Sequence, residues 1–346
     1  MRGIAALVIL LAIGACSGAP PPAVSVSQSA STARTSTPTS STGVNGPVLP
    51  LTRVTFSCRL PVYNSTGASA ADSFIDFPSR KVTAAAGRGT FYDSTVARWL
   101  PIFQNQISPD GRRYAYTEGW GVSSSTPARV HIVDAATDAD VRVVPMPDQQ
   151  PYFVLDYTSA GIDLGIGYEG RGPGVWRMDP ASGAVTKVSG DLYPPGEQWI
   201  GVVDPRDGQP YRSAMSGTAE ANRIDRRSST GQMTMWFYKP GHAVFWVAFA
   251  GDSALLVQSA WTNTADPAIG GTDYWLVTAP NQATELASYT YQQPSSYSDL
   301  GTGFFRAIVD ERGIWIGGER GLYLVTQSGL LLRLYDAPAY PAGTCS

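Results

Sequence analysis

Short apolar stretches alternate with polar turns from about residue 52 to the end of the chain. The stretches are rich in Val, Ile, Leu and aromatic residues and are about four to eight residues long, which is typical of β-strands. Many of the turns contain Gly next to Asp, Ser or Arg, and Gly readily adopts the positive φ that short hairpin loops need. The pattern therefore predicts a series of β-hairpins, and no stretch between them has the periodicity of an amphipathic helix of three turns.

One hairpin recurs along the chain, with starts 45 to 51 residues apart. Its clearest copies are VHIVDAATDADVRVVP (130–145) and VWRMDPASGAVTKVSG (175–190), and looser copies begin at residues 223, 274 and 322. A weaker first copy covers 89–101. A second hairpin precedes each copy, for example NQISPDGRRYAYT (105–117). A repeat of this length is the signature of a solenoid or a propeller.

Two hairpins per repeat form a four-stranded antiparallel sheet, which is the blade of a β-propeller. In the first repeat, VTFSCRLPVY (54–63) and FIDFPSRKVTA (74–84) take the place of the first hairpin. Six repeats then fill residues 49–346. The sequence predicts an all-β fold over these residues, a six-bladed β-propeller of four-stranded antiparallel blades.

The first 15 residues have the pattern of a signal peptide. Arg2 precedes an apolar run from Ile4 to Ile13, and this run would rise only about 15 Å as a helix, too little to span a bilayer core of about 30 Å. The end of the segment, Ile13-Gly14-Ala15-Cys16, resembles the lipobox of bacterial lipoproteins, whose cysteine is acylated and becomes the mature N-terminus. Cys16 is therefore the predicted lipidation site. The alternative is an ordinary secretory signal and a secreted protein.

Residues 16–48 consist mainly of Ser, Thr, Pro, Ala and Gly, and Arg34 is their only charged residue. Such a segment cannot build a core, so we expect a disordered linker with a span of roughly 30 Å between a membrane and the folded region. This predicts an exported protein anchored to the outer face of the bacterial cell membrane. In an oxidising compartment, Cys58 and Cys345 would form one disulfide that joins the two ends of the propeller. The alternative is two free or intermolecular thiols.

The composition excludes several classes of function. The 25 basic and 28 acidic side chains give a net charge of −3, which argues against a nucleic-acid partner. The only histidines, His131 and His242, fall outside the predicted ligand loops and are expected to be packed or exposed. There is no phosphate-binding loop, Cys-x-x-Cys pair, nucleophile elbow or Asp-rich calcium loop. We therefore predict no cofactor, no metal and no identifiable catalytic residue, and we expect a monomer.

Two segments resemble known repeats. SPDGRRYAYTE (108–118) resembles the repeats of TolB-like propellers, and DERGIWIGGERGLYLV (310–325) is similar to the WD40-like repeat of two-component-regulator propellers. The whole chain resembles bacterial lipoproteins that carry a propeller after a Ser/Thr-rich stalk. The resemblance implies the propeller architecture, and it transfers no catalytic residue to a position in this chain.

The loops that join the second and third strands of the blades contain the candidate ligand-binding residues. Carboxylates beside aromatic faces suit sugar rings and cationic groups, and these loops supply both. The candidates are Glu118, Trp120, Tyr168, Glu169, Glu220, Trp261 and Glu319. Alternatively, the glutamates form ordinary exposed ion pairs and the tryptophans pack between blades.

Two classes of function remain. In the first, the propeller is a binding or scaffold module for an envelope protein or a glycan. In the second, it is an enzyme, either a carboxylate-dependent glycosidase or a lyase similar to the propeller-fold streptogramin lyases. A glycosidase needs two carboxylates about 5 Å or about 6.5–9.5 Å apart. The distances between the glutamate carboxylates therefore distinguish the glycosidase from the binding module.

Overall fold

The computed structural model describes residues 49–64, 71–87, 89–118, 127–147, 150, 152–166, 175–189, 201–204, 209–215, 221–228, 230, 232–250, 254–262, 265, 269–292, 307–318 and 321–346. All of them lie within one compact unit, Gly43–Ser346. The other unit, Met1–Thr42, lies outside the described residues and contains the predicted signal peptide and Cys16. In the described part of the chain, no helix is long and apolar enough to cross a membrane.

The described residues form antiparallel strands almost throughout. The first strands are β1 (Cys58–Asn64), β2 (Ala71–Phe77), β3 (Lys81–Ala84), β4 (Phe91–Asp93), β5 (Arg98–Leu100), β6 (Arg113–Glu118), β7 (Arg129–Asp134) and β8 (Asp140–Pro145). They are followed by β9 (Tyr152–Thr158), β10 (Gly161–Ile166), β11 (Val175–Met178), β12 (Val185–Ser189), β13 (Gly201–Val203), β14 (Pro210–Met215), β15 (Ala221–Arg227) and β16 (Met233–Tyr238). The last are β17 (Ala243–Ala250), β18 (Ala254–Thr262), β19 (Ile269–Ala279), β20 (Gln282–Gln292), β21 (Ile308–Asp310), β22 (Gly313–Gly318), β23 (Gly321–Thr326), β24 (Leu331–Tyr335) and β25 (Tyr340–Pro341). A 3₁₀ helix, Gln104–Gln106, lies between β5 and β6.

Four of the predicted repeats are complete blades. The strands of β9–β12, β13–β16, β17–β20 and β21–β24 each pair in chain order to form a four-stranded meander. A fifth four-stranded sheet has the order β25-β1-β2-β3. Successive four-stranded meanders, with the two ends of the chain meeting in one sheet, define a β-propeller. The predicted all-β propeller is confirmed.

The predicted number of blades is wrong, because the described strands form five four-stranded blades and not six. The described residues between 91 and 145 form a two-stranded sheet, β4-β5, and a three-stranded sheet, β6-β7-β8. The stretch expected as the inner strand before β6 is instead the 3₁₀ helix, and only Ile107 forms a bridge to Tyr114. Gln104 explains the interruption, since its side chain donates to the carbonyl of Val309 at 2.7 Å and accepts from the Val309 N–H at 2.9 Å.

Asn105 makes a related contact on the other side of the 3₁₀ helix. Its side-chain amide donates to the carbonyl of Leu155 in β9, the first strand of the next blade. Together with the Gln104 contact to β21, this places the 3₁₀ helix between the first strands of two blades. Side-chain amides here satisfy backbone groups that a continuous inner strand would satisfy with its own N–H and C=O groups.

The C-terminal segment closes the ring through three strands. β25 pairs with β1, the N–H of Ala339 donates to Gly318 in β22 at 3.2 Å, and the N–H of Tyr92 in β4 donates to Ala342 at 2.6 Å. The Cys58–Cys345 disulfide, with its Cα atoms 5.4 Å apart, lies beside these pairings. The predicted disulfide is confirmed.

A buried cluster surrounds the disulfide. Trp315 is fully buried and packs edge-on against Phe56, with ring centroids 6.3 Å apart. The Asp310 carboxylate accepts a hydrogen bond from the Trp315 indole at 2.8 Å and one from the N–H of Cys345 at 3.1 Å. The last blade therefore holds the C-terminal cysteine with both apolar packing and hydrogen bonds.

Candidate functional site

Two of the seven candidate ligand-binding residues, Glu118 and Trp261, lie among the described residues. Glu118 is the last residue of β6, and Trp261 is the second-to-last residue of β18. Each lies where a strand leads into the loop toward the next strand. The other five, and the predicted lipidation site, lie outside the described residues: Trp120, Tyr168, Glu169, Glu220, Glu319 and Cys16.

Glu118 belongs to a cluster centred on His131 of β7, which we call the Glu118 cluster. The Nε2 atom of His131 is 3.2 Å from Oε2 of Glu118, and its Nδ1 atom is 3.0 Å from Oδ1 of Asp140 in β8. Tyr116, the cross-strand partner of His131, stacks on the imidazole at 4.7 Å with the rings nearly parallel. The His131 side chain is only 11% exposed, whereas that of Glu118 is 57% exposed.

The Glu118 carboxylate is already engaged by neighbouring cations and donors. Besides His131, Arg129 lies 3.8 Å from the same carboxylate oxygen. Each ring nitrogen of His131 thus contacts one carboxylate, that of Glu118 or that of Asp140. Glu118 can still accept hydrogen bonds from a ligand on its exposed side. Within the described ranges, Glu118 is therefore not one of two unpaired carboxylates that face each other.

The Trp261 indole packs against its cross-strand partner, Gly271 in β19. A Cβ atom at position 271 would come within 2.4 Å of the indole, so a larger residue would displace the ring. On another side the indole faces His242, with ring centroids 6.4 Å apart and planes tilted by 58°. Trp261 is partly exposed. Its position is thus fixed by packing while part of its surface remains accessible.

Asp273 places a buried carboxylate next to this pair. It is 5% exposed, and its Oδ2 atom is 3.5 Å from Nδ1 of His242. The hydroxyls of Ser288 and Ser259 donate to its two oxygens at 2.7 and 3.3 Å. The indole N–H of Trp275 donates to Ser259 at 3.0 Å. These contacts fix the carboxylate, and we call Trp261, His242 and Asp273 together the Trp261 site.

Burial controls the charge of the Trp261 site. It lowers the pKa of His242, and nearby Lys239 adds to the lowering, while the Asp273 carboxylate acts in the opposite direction. The imidazole is therefore neutral at pH 7 and has one nitrogen that donates and one that accepts. A neutral imidazole beside an aromatic face and a carboxylate can bind the hydroxyls of a sugar whose ring stacks on the indole.

Both histidines contact the described candidate residues, although the sequence places them outside the ligand loops. For His131 the signal was its position opposite Tyr116 in the predicted hairpin, two residues from Glu118 in register. For His242 the signal was the Pro240-Gly241 turn just before β17. Because β17 and β18 are antiparallel, the start of β17 lies beside the end of β18, where Trp261 is. Asp140 and Asp273 had no such signal, because polar residues inside strands are indistinguishable from solvent-facing ones in the sequence.

Metal-ligating residues do not gather in the described ranges. No group of three or more His, Cys, Asp or Glu residues there is arranged to hold a metal ion. The side chains of the Trp261 site can stack on a ligand, form hydrogen bonds and transfer protons.

No protein-family model matches the chain, and no curated protein sequence is similar to it. Among solved structures, it is similar to TolB from Acinetobacter baumannii, with a TM-score of 0.37 and 13% identity over 68% of this chain and 52% of that one. It is also similar to the periplasmic gluconolactonase PpgL of Pseudomonas aeruginosa, with a TM-score of 0.34 and 10% identity over 84% and 97% of the two chains. A third is the extracellular domain of the one-component system BT4673 from B. thetaiotaomicron, with a TM-score of 0.28 and 11% identity over 80% and 46%.

The matched region thus spans about half the length of the TolB structure and of the BT4673 domain. At these TM-scores and identities, no residue role passes from any of the three to this chain. The propeller assignment rests on the strand pairing itself.

Proposed function

We propose that the chain is an exported, lipid-anchored binding module whose propeller presents the Trp261 site to a glycan on an envelope partner. The observation that carries this proposal is the meeting of three groups at one strand end: a fixed, partly exposed indole, the His242 imidazole and a buried carboxylate. Sugars are bound by aromatic faces together with a few well-placed hydrogen-bonding groups. A protein partner is the other ligand class that the sequence predicts.

The N-terminal sequence supports export and anchoring. The lipobox-like ending at Cys16 and the Ser/Thr/Pro-rich segment that follows it are typical of a tethered lipoprotein. The Cys58–Cys345 disulfide agrees with export, because structural disulfides persist in oxidising compartments and are rare in the cytosol.

Glycan binding is tested by calorimetric titration of cell-wall fragments into the purified full chain carrying Cys16→Ser. Trp261→Ala should weaken binding at least tenfold, because the sugar ring loses the aromatic face on which it stacks. Trp176→Ala is a matched control, because Trp176 is also partly buried but lies on β11 beneath the Lys187 ammonium, 5.3 Å from its ring. Binding that survives the combined loss of Trp261 and His242 would contradict the proposed site.

Anchoring is tested by growing cells with an alkyne-tagged fatty acid and isolating the chain. We expect label on the native chain and none on Cys16→Ser. A native chain that is unlabelled and found in the medium would show that the signal is an ordinary secretory one.

The second candidate is an enzyme, and His242 is the observation that favours it. A neutral imidazole whose Nδ1 atom faces a buried aspartate can take up a proton as a general base. This geometry suits a lyase better than a glycosidase, because the described Glu118 is engaged by His131 and Arg129.

The enzyme candidate is tested with macrocyclic lactones and chromogenic glycosides as substrates. Turnover that is lost in His242→Gln, with ligand binding retained, would favour catalysis. Ligand binding without turnover would favour the binding module.

A further inference from the structure

A cleft of about 340 Å³ lies at the end of β6 opposite Glu118. Its walls are the turn after β4, the turn 108–111 before β6, and Thr344 of the C-terminal segment. The six residues of β6 separate this end of the sheet from Glu118 by roughly 20 Å. We call it the Asp93 cleft, and it is distinct from the Glu118 cluster.

Asp93 is a buried acid that lines the cleft. It is only 5% exposed, and its Oδ1 atom accepts a hydrogen bond from the N–H of Thr95 at 2.7 Å. Among the described residues, its Oδ2 atom has no hydrogen-bond partner, and no Lys, Arg or His pairs with the carboxylate. The Oδ2 atom can therefore accept a hydrogen bond from a ligand in the cleft.

The nearest basic residue in register does not neutralise Asp93. Arg98 is its direct cross-strand partner in the β4-β5 pair. The Arg98 guanidinium instead pairs with Asp138 and donates to the carbonyl of Ala136 at 3.0 Å. The Arg98 side chain is thus bound elsewhere, and Asp93 lines the cleft without an ion pair to its cross-strand partner.

A second carboxylate lies at the same cleft. Hydrogen bonds from the Ser108 hydroxyl, at 2.7 Å, and the N–H of Arg112, at 3.1 Å, hold the pKa of Asp110 below its ordinary value. Asp110 therefore stays ionised at physiological pH. The lining residues also include the hydroxyls of Ser94 and Thr344 and contain no Lys or Arg.

We propose that the Asp93 cleft binds a small organic ammonium ligand that carries hydroxyl groups, such as an amino sugar, with the ammonium on the Asp93 carboxylate. The volume holds about eleven water-sized groups at ~30 Å³ each, which is the size of a monosaccharide. Hydroxyl side chains face the ligand hydroxyls, and Phe91 and Ile107 supply an apolar wall. A bare calcium ion fits less well, because it takes about six to eight oxygen ligands and the cleft offers two carboxylates.

The experiment is a calorimetric titration of the purified full chain with glucosamine, with glucose, and with calcium chloride alone. We expect saturable binding of glucosamine and at least tenfold weaker binding of glucose, which has the same ring without the ammonium. Saturable binding of calcium with none of glucosamine would overturn the proposal, as would equal binding of the two sugars.

Variants assign the binding to this cleft. Asp93→Asn should weaken glucosamine binding at least tenfold, and Asp110→Asn, at an exposed position where folding is not at risk, should weaken it severalfold. Asp179→Asn is the matched control, since Asp179 holds its own turn through Ala181 and Ser182 in the way Asp110 does but lies on another blade. All glucosamine titrations are repeated in the Trp261→Ala background, where any sugar binding at the Trp261 site is lost, so binding that remains there reports on the Asp93 cleft and separates this proposal from the proposed function. Unchanged affinity in both Asp93→Asn and Asp110→Asn would overturn it.

Discussion

Replacing Asp156 with asparagine should stabilise the protein, and by much more at pH 8 than at pH 5. Asp156 in β9 is the direct cross-strand partner of Asp163 in β10. Asp163 is fully buried, and Arg177 binds both of its oxygens at 2.7 and 3.1 Å. The Arg177 guanidinium thus pairs with the Asp163 carboxylate, and Asp156 is a second carboxyl group next to this pair. Burial, together with the charge of Asp163, raises the pKa of Asp156 to about 7.

The direction of the effect follows from proton binding in the two states. The folded protein holds the Asp156 proton up to about pH 7, while the unfolded chain releases it near the ordinary pKa of 3.8. Folding is therefore favoured at low pH and is progressively penalised as the pH rises from about 4 to about 7. The difference in the penalty between pH 5 and pH 8 is about 3 kcal/mol. Asparagine has nearly the same shape and carries no charge, so it is free of this penalty.

The measurement is equilibrium unfolding of the purified full chain in guanidinium chloride at pH 5 and pH 8. The stability difference between Asp156→Asn and the native chain should grow by about 3 kcal/mol between these values. Asp134→Asn serves as a control, because hydrogen bonds from Thr137 lower the pKa of Asp134. The stabilisation that the ionised Asp134 gives the folded state is fully present above the unfolded pKa of 3.8. Asp134→Asn should therefore lower the free energy of unfolding equally at pH 5 and pH 8. A difference between Asp156→Asn and the native chain that does not change with pH would refute the reasoning.

Three further predictions concern packing and closure. Reducing the Cys58–Cys345 disulfide, which joins residues 287 positions apart, should lower the free energy of unfolding by up to about 5 kcal/mol, with no effect of reductant on the double serine variant. Gly271→Ala should destabilise the protein by about 1–3 kcal/mol through its clash with the Trp261 indole, and a double-mutant cycle with Trp261→Ala should recover most of this loss. Trp315→Ala, in the fully buried cluster beside the disulfide, should cost about 3–5 kcal/mol in the same unfolding assay, whereas a loss below 1 kcal/mol would contradict that packing.

The regular part of the propeller was predictable because hydrophobic strands and glycine turns give the same local signal in every repeat. Gly111 and Gly313 adopt φ values of 69° and 136° in the turns where the sequence predicts them. The hairpin copies starting at residues 130, 175, 223, 274 and 322 all pair as expected. In these repeats, local turn chemistry and burial favour the same structure.

The sector from residue 91 to residue 145 was not predictable in the same way. Whether 105–107 continues as a strand depends on contacts that Gln104 and Asn105 make with β21 and β9, more than 200 and about 50 residues away in the chain. No local pattern records such a contact. The same holds for His242, since the distance from its ring to Asp273 depends on how β17 and β19 align across the sheet.

Because Thr344 of the C-terminal segment lines the Asp93 cleft, we expect ligand binding there to be coupled to closure of the ring. Thr344 lines the cleft, and the next residue, Cys345, is bonded to Cys58 and accepts a hydrogen bond from Arg312 at 3.1 Å. A ligand that binds only when this segment is in place stabilises the closed ring, by about 2.7 kcal/mol at a ligand concentration of 100 times Kd. Coupling of this kind is reciprocal, so reduction of the disulfide must weaken binding at the cleft by the same free energy by which the ligand protects the closed form. Glucosamine affinity that is identical in the oxidised and reduced chains would show that the C-terminal segment holds its place without the disulfide, and that β25 and the hydrogen bonds of Cys345 are sufficient for closure.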